Sequence, residues 1–200
     1  PDRGIFVVAD GIGGNAGGEV AAQTAVDAIR DSALHDEAAV RDAIARANNR
    51  IYDLAQSDPA LGGMACVLTV AAVAGDEIII GHVGDSRLYL IRHGSIRKLT
   101  ADHSPVGEAE DAGALSEREA MFHPRRNEVF RDVGSRPRSA DDPDFIEIRR
   151  APFPRDAAFL LCSDGLTDQL TAAHVRAIID RYDGDPAVTA RDLVDAANHA

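Results

Sequence analysis

Three aspartates stand where apolar runs end. Asp10 follows Val7-Val8-Ala9 and opens the glycine-rich turn Asp10-Gly11-Ile12-Gly13-Gly14-Asn15-Ala16-Gly17-Gly18. Asp85 lies in Gly81-His82-Val83-Gly84-Asp85-Ser86-Arg87, and Asp164 lies in Leu160-Leu161-Cys162-Ser163-Asp164-Gly165. A carboxylate at the end of a buried strand, beside glycines that let backbone approach a ligand, suits a hard cation that takes oxygen ligands. Each aspartate alone also has a plain structural reading: Asp10 at a strand–turn–helix junction, Asp85 in a hairpin turn, Asp164 capping the turn before a helix. Taken jointly they read as a polynuclear cation site. Gly11-x-Gly13-x-x-Ala16 also fits part of a dinucleotide fingerprint. That motif needs strand–helix–strand alternation downstream, and Asp10 would repel a pyrophosphate, so it is set aside.

The elements that must position these residues follow from periodicity. Residues 5–9 are continuously apolar, which predicts a strand buried on both faces. Helices are expected over 19–31, with Val20, Ala21, Ala25 and Ile29 inward, and over 37–56. In the second, Val40, Ile44, Ala47, Ile51 and Leu54 recur at steps of four and three, one buried stripe. Pro59, Gly62 and Gly63 break the pattern. Strands are then expected over 65–73, 77–83, 86–91 and 96–99, with short turns that signal antiparallel hairpins. Residues 101–131 turn polar, and an irregular flap with a short helix near 116–122 is expected there. Strands return over 145–150 and 157–163, before helices over 172–182 and 187–199. Antiparallel strands apolar on both faces imply two sheets facing one another with helices outside, an α+β layout.

Composition narrows the function. At 200 residues the chain reads as a single domain, spanning 1–200, with a sizeable core. The net charge of −12 argues against nucleic acid and against an anionic membrane surface. Cys66 and Cys162 sit in apolar runs without metal spacing and read as buried reduced thiols. No apolar run is long enough to span a bilayer and no signal peptide is visible, so a cytoplasmic setting is expected. His82, His103 and His123 show no zinc spacing and read as structural or surface groups. Arg87 either orients Asp85 or is a strand-edge cation. Arg125 and Arg126 read as a solvated basic pair, with contact to a phosphoprotein as the alternative.

In order along the chain, Asp10-Gly11-Ile12-Gly13-Gly14, Gly84-Asp85-Ser86-Arg87, Asp102-His103-Ser104, His123-Pro124-Arg125-Arg126-Asn127 and Ser163-Asp164-Gly165-Leu166 match the motif series of one family. The chain resembles the metal-dependent PP2C-type (PPM) serine/threonine protein phosphatases, in particular their compact bacterial members. The resemblance implies a four-layer α/β/β/α sandwich of two antiparallel sheets flanked by helix pairs. It implies Mg²⁺ or Mn²⁺ as cofactors: two ions, with a third in many relatives. Asp10 would bridge two ions, the Gly11 carbonyl would bind one and Asp164 the second, while Asp85 with Asp164 would hold the third. The catalytic pair would then be Asp10 and Asp164, acting through a water between cations, which attacks phosphoserine or phosphothreonine.

The chain also departs from the family. Its Asn-Glu-Asp segment and phosphate-binding Arg would precede Ile5, and its Asp-Asn strand would follow Ala200, so a fragment truncated at both ends is expected. A histidine proposed as general acid in the glycine-rich turn is replaced by Asn15, which cannot supply a proton near neutral pH. The alternative function is therefore a non-catalytic phosphatase-like module that binds a phosphoprotein or kinase partner. The expected partners are phosphorylated proteins and a serine/threonine kinase, with the chain itself a monomer.

Overall fold

The computed structural model describes residues 4–12 and 16–200. Asn15 lies outside the described residues, so its expected role has no structural counterpart. Seven strands form two antiparallel sheets among these residues. The first has the order β1-β2-β3-β6, from β1 (Ile5–Ile12), β2 (Ala65–Ala74), β3 (Glu77–Val83) and β6 (Glu147–Pro152). The second has the order β5-β4-β7, from β4 (Arg87–Arg92), β5 (Ser95–Lys98) and β7 (Ala158–Cys162). Helices α1 (Ala16–Arg30) and α2 (Glu37–Ser57) cover the first sheet, while α6 (Ala172–Ile179) and α7 (Pro186–Asn198) cover the second.

Period-two alternation explains why these strands are apolar on both faces. In β3, Ile78 and Ile80 point between the sheets while Ile79 joins the core under α1 and α2. In β4, Leu88 and Leu90 pack between the sheets, and Tyr89 and Ile91 pack under α6 and α7. β7 repeats the division, with Phe159 and Leu161 inward and Leu160 and Cys162 outward. Each strand thus serves two apolar layers, and the four-layer α/β/β/α sandwich expected from the sequence is the fold found.

Three local expectations change. β1 is an edge strand that is half-buried, with Phe6 36% exposed, because β2 is its one neighbour in the sheet. Leu54 leaves the buried stripe of α2: it is 36% exposed, whereas Val40, Ile44, Ala47 and Ile51 are fully buried. The segment 101–131 is more regular than expected, carrying α3 (Pro105–Asp111) as well as α4 (Glu117–Met121). Ser104 caps α3 by accepting from the Gly107 N–H at 3.0 Å, with Pro105 in the first turn, while Ser116 and Glu119 form a capping box on α4.

The first sheet and α2 meet without a gap at Gly81. A Cβ there would stand 2.5 Å from Val40 Cγ1 and 2.6 Å from Ile44 Cδ1. Gly81→Ala is expected to cost about 1–3 kcal/mol, because an added methyl must push α2 off the strand that leads to Asp85. Urea unfolding checks this, and a midpoint equal to that of the parent would refute it.

Candidate metal centre

Each predicted aspartate is delivered by a different structural device. Asp10 lies on β1, opposite Val67 of β2, in the first sheet. Asp85 belongs to the passage Gly84-Asp85-Ser86, where the chain leaves β3 in the first sheet and enters β4 in the second. Asp164 follows β7 and opens the short helix α5 (Asp164–Thr167). β1 and β7, edge strands of the two sheets, pack on one another through an edge-to-face contact of Phe6 and Phe159, with ring centroids 4.9 Å apart. Three carboxyls from two sheets converge at one place.

Their electrostatics record that convergence. Burial pushes the Asp85 carboxyl up to about 7, helped by the negative charges of Asp164, Asp102 and Asp10. Asp164 is pushed up to about 6, first by burial and then by Asp10, whose carboxyl lies within hydrogen-bonding reach. Like charges held together in a low-dielectric site cannot all ionise cheaply. A divalent cation removes that conflict and takes carboxylate oxygens as ligands, so the donor set fits Mg²⁺ or Mn²⁺. At Gly11 a Cβ would lie 2.4 Å from the Gly18 carbonyl, so glycine there lets the start of α1 sit directly on the backbone beside Asp10.

Behind Asp85 is a buried polar network. Arg87 is 8% exposed and binds Asp102 through Nε (3.2 and 2.9 Å to the two oxygens) and through Nη2 at 2.6 Å. Its Nη2 also reaches Glu110 Oε2 of α3 at 2.7 Å, and Lys98 Nζ lies 3.2 Å from Asp102 Oδ1. Arg87 is therefore neither a strand-edge cation nor a direct partner of Asp85; it holds Asp102. His103 accepts the Gly84 N–H on Nδ1 at 3.0 Å. Its Nε2 faces Glu147 Oε2 at 3.6 Å and Arg131 Nη1 at 3.5 Å. Burial lowers His103 to about 3 and His82 to about 4, so both rings are neutral near pH 7.

His82, His103 and Glu147 offer ligand atoms within 4.8 Å of one another. Both nitrogens of His82 and Nδ1 of His103 are nonetheless committed to protein partners. His82 Nε2 donates to the Ala101 carbonyl at 3.0 Å, which leaves Nδ1 to accept the Thr69 hydroxyl at 2.8 Å. The pair is a hydrogen-bonding network, as the absence of zinc spacing suggested. His123 stands apart in the flap, its Nδ1 accepting from the Arg125 N–H at 3.1 Å. Cys66 and Cys162 are free and buried, each thiol pushed up to about 12, first of all by burial.

Sequence reasoning named Asp102 in a motif without giving it a role, and passed over Asp168. Asp168 stands one helical turn beyond Asp164, a spacing that could have flagged it. It shares a small cavity with Asp85, Asp164 and Asp102, and burial raises its carboxyl. Arg126 of the flap, expected to be solvated, binds Asp168 Oδ2 at 3.1 Å and lines the same cavity.

Comparison with known proteins gives one answer. The family model described as protein phosphatase 2C matches residues 1–188. The serine/threonine phosphatase stp of Listeria monocytogenes is 35% identical over 184 residues, covering 88% of this chain and 71% of that protein. Protein phosphatase PhpP of Streptococcus pneumoniae is 32% identical over 185 residues, covering 88% of this chain and 73% of its own. The crystal structure of the Mycobacterium tuberculosis serine/threonine phosphatase PstP/Ppp superposes with a TM-score of 0.84 at 28% identity, covering 98% of this chain and 82% of that one. The catalytic domain of PstP, solved in complex with two manganese ions, gives 0.81 at 28% identity, covering 98% and 81%.

Proposed function

Since the chain belongs to the protein phosphatase 2C family of metal-dependent serine/threonine phosphatases, we propose that Asp10, Gly11, Asp85 and Asp164 form its Mg²⁺ or Mn²⁺ site. The convergence of three half-buried carboxyls, two of them held above their ordinary range, carries this reading. Asp10, the Gly11 carbonyl and Asp164 would hold two cations, and Asp85 with Asp164 would hold a third. Such cations would supply an acidified water and offset charge on phosphoryl oxygens, so no protein nucleophile would be needed. The protein's own part is to keep the carboxylates together. The two sheets do this by supplying the ligands from strand ends backed by buried apolar layers.

We read residues 1–200 as one phosphatase domain with 101–131 as its flap. Glu110, Glu117, Met121 and Arg126 of that segment line the cavity shared with Asp85 and Asp164, which supports a role in presenting phosphorylated protein to the cations. A monomer acting in the cytoplasm against a serine/threonine kinase is the setting we propose. No helix among the described residues is long and apolar enough to cross a membrane. The retained carboxylate trio favours turnover over a purely binding module, which has little use for it. Phosphate release from a phosphothreonine peptide tests the proposal: release with Mn²⁺ that EDTA abolishes is expected. Release that survives EDTA, or none with Mn²⁺ present, would reject it.

A further inference from the structure

Asp85 is carried on a turn that is gripped at both ends by one dipeptide. At one end, Gly84 has φ +110, and a Cβ there would lie 2.2 Å from Val67 Cγ1, so glycine alone fits. The Gly84 N–H donates to His103 Nδ1 at 3.0 Å, and the Gly84 carbonyl accepts the His103 N–H at 2.7 Å. At the other end, Arg87 is locked by Asp102. Between those two anchors stand Asp85 and Ser86 alone.

We propose that His103, with Asp102 beside it, is a positioning clamp that sets the Asp85 carboxylate for cation binding. This rests on the reading of Asp85 as a cation ligand. The clamp needs an acceptor at Nδ1, and the ring is placed to supply one. It lies against His82, centroids 4.8 Å apart, with Nε2 turned toward Glu147. His103 also ties the clamp to the end of the flap, since its carbonyl accepts the Phe130 N–H at 3.0 Å. Groups that orient a metal ligand commonly change metal affinity by about 10–100-fold when removed.

Three substitutions separate positioning from bulk. His103→Asn keeps an acceptor close to the ring Nδ1, His103→Gln moves it outward, and His103→Leu removes it. Mn²⁺ binding is followed by the electron paramagnetic resonance of free Mn²⁺, and folding by circular dichroism melts in EDTA. Asp85→Asn is expected to remove one class of Mn²⁺ site. His103→Leu and His103→Gln should weaken that same class on the order of tenfold, and His103→Asn should stay within about threefold of the parent. In the Asp85→Asn background, His103→Leu should have no further effect, since partners in one network are not additive. Should the Leu variant fail to fold, the Asn–Gln pair decides. Equal binding by Asn and Gln, or a further loss from His103→Leu in the Asp85→Asn background, would overturn the clamp alone. Unchanged binding by Asp85→Asn would overturn the ligand reading and the clamp with it.

Discussion

Asp164→Asn is expected to lower Mn²⁺-dependent phosphate release on the order of a thousandfold, the scale seen when a preorganised charge-stabilising group is lost. Asn has the size of Asp but no charge, and it suits the first turn of α5 as well as Asp does. What it removes is an anion beside Asp10, in a cluster whose ligand charge sets cation affinity. The metal-free chain should not suffer. With one of the crowded carboxyls gone, repulsion falls, and the melting temperature in EDTA should equal or exceed that of the parent. Lost turnover with kept stability is the signature of a functional charge. A variant that keeps a tenth of the parental rate would defeat the assignment, and one that loses both would mark Asp164 as structural.

The second large effect is a carboxyl contribution to the pH profile that runs opposite to ordinary acid denaturation. Asp85 rises to about 7 and Asp164 to about 6 in the folded chain, against 3.8 for an unperturbed aspartate. These two carboxyls therefore hold more protons in the folded chain than in the unfolded one between about pH 4 and 7, and their contribution to stability falls as pH rises through that window. His82 and His103, lowered by burial, instead contribute stability that is lost as pH falls below about 6.5. Each tenfold difference in proton affinity between the folded and unfolded chain corresponds to about 1.4 kcal/mol, so the loss amounts to a few kcal/mol by pH 8. In EDTA the melting temperature of the parent should rise relative to that of Asp85→Asn as pH is lowered from 8 to 5, a comparison in which the histidine contribution cancels. Mn²⁺ should reverse the loss at pH 8, by about 2.7 kcal/mol for each site at a hundred times its dissociation constant. The same pH dependence in the parent and in Asp85→Asn would show that the carboxyls do not crowd one another.

Both effects depend on a feature that local sequence could not carry. The repulsion felt by Asp85 comes from Asp164, Asp102 and Asp10, which belong to separate elements. Likewise, Arg126 and Asp168 lie 42 positions apart, yet their ion pair brings the flap to the rim of the site.

The sequence by itself determined the strands and their faces, because alternation within runs such as residues 77–83 and 86–91 is a property of neighbouring residues and the two-residue repeat of a strand. It also determined the antiparallel pairing, through short turns, and singled out Asp10, Asp85 and Asp164 as carboxylates at strand ends. The stripe of α2 was legible up to Ile51; Leu54 broke it because burial at a helix end depends on what lies opposite, not on spacing. The α3 helix was signalled by Ser104-Pro105 but hidden by the polarity of the residues that follow. Only the tertiary structure decided that Arg87 serves Asp102 rather than Asp85, and that His103 holds Gly84. The physical reason is that a charge or a hydrogen-bonding group finds its partner by distance in space. Packing one sheet on another sets those distances, and no periodicity along the chain encodes them.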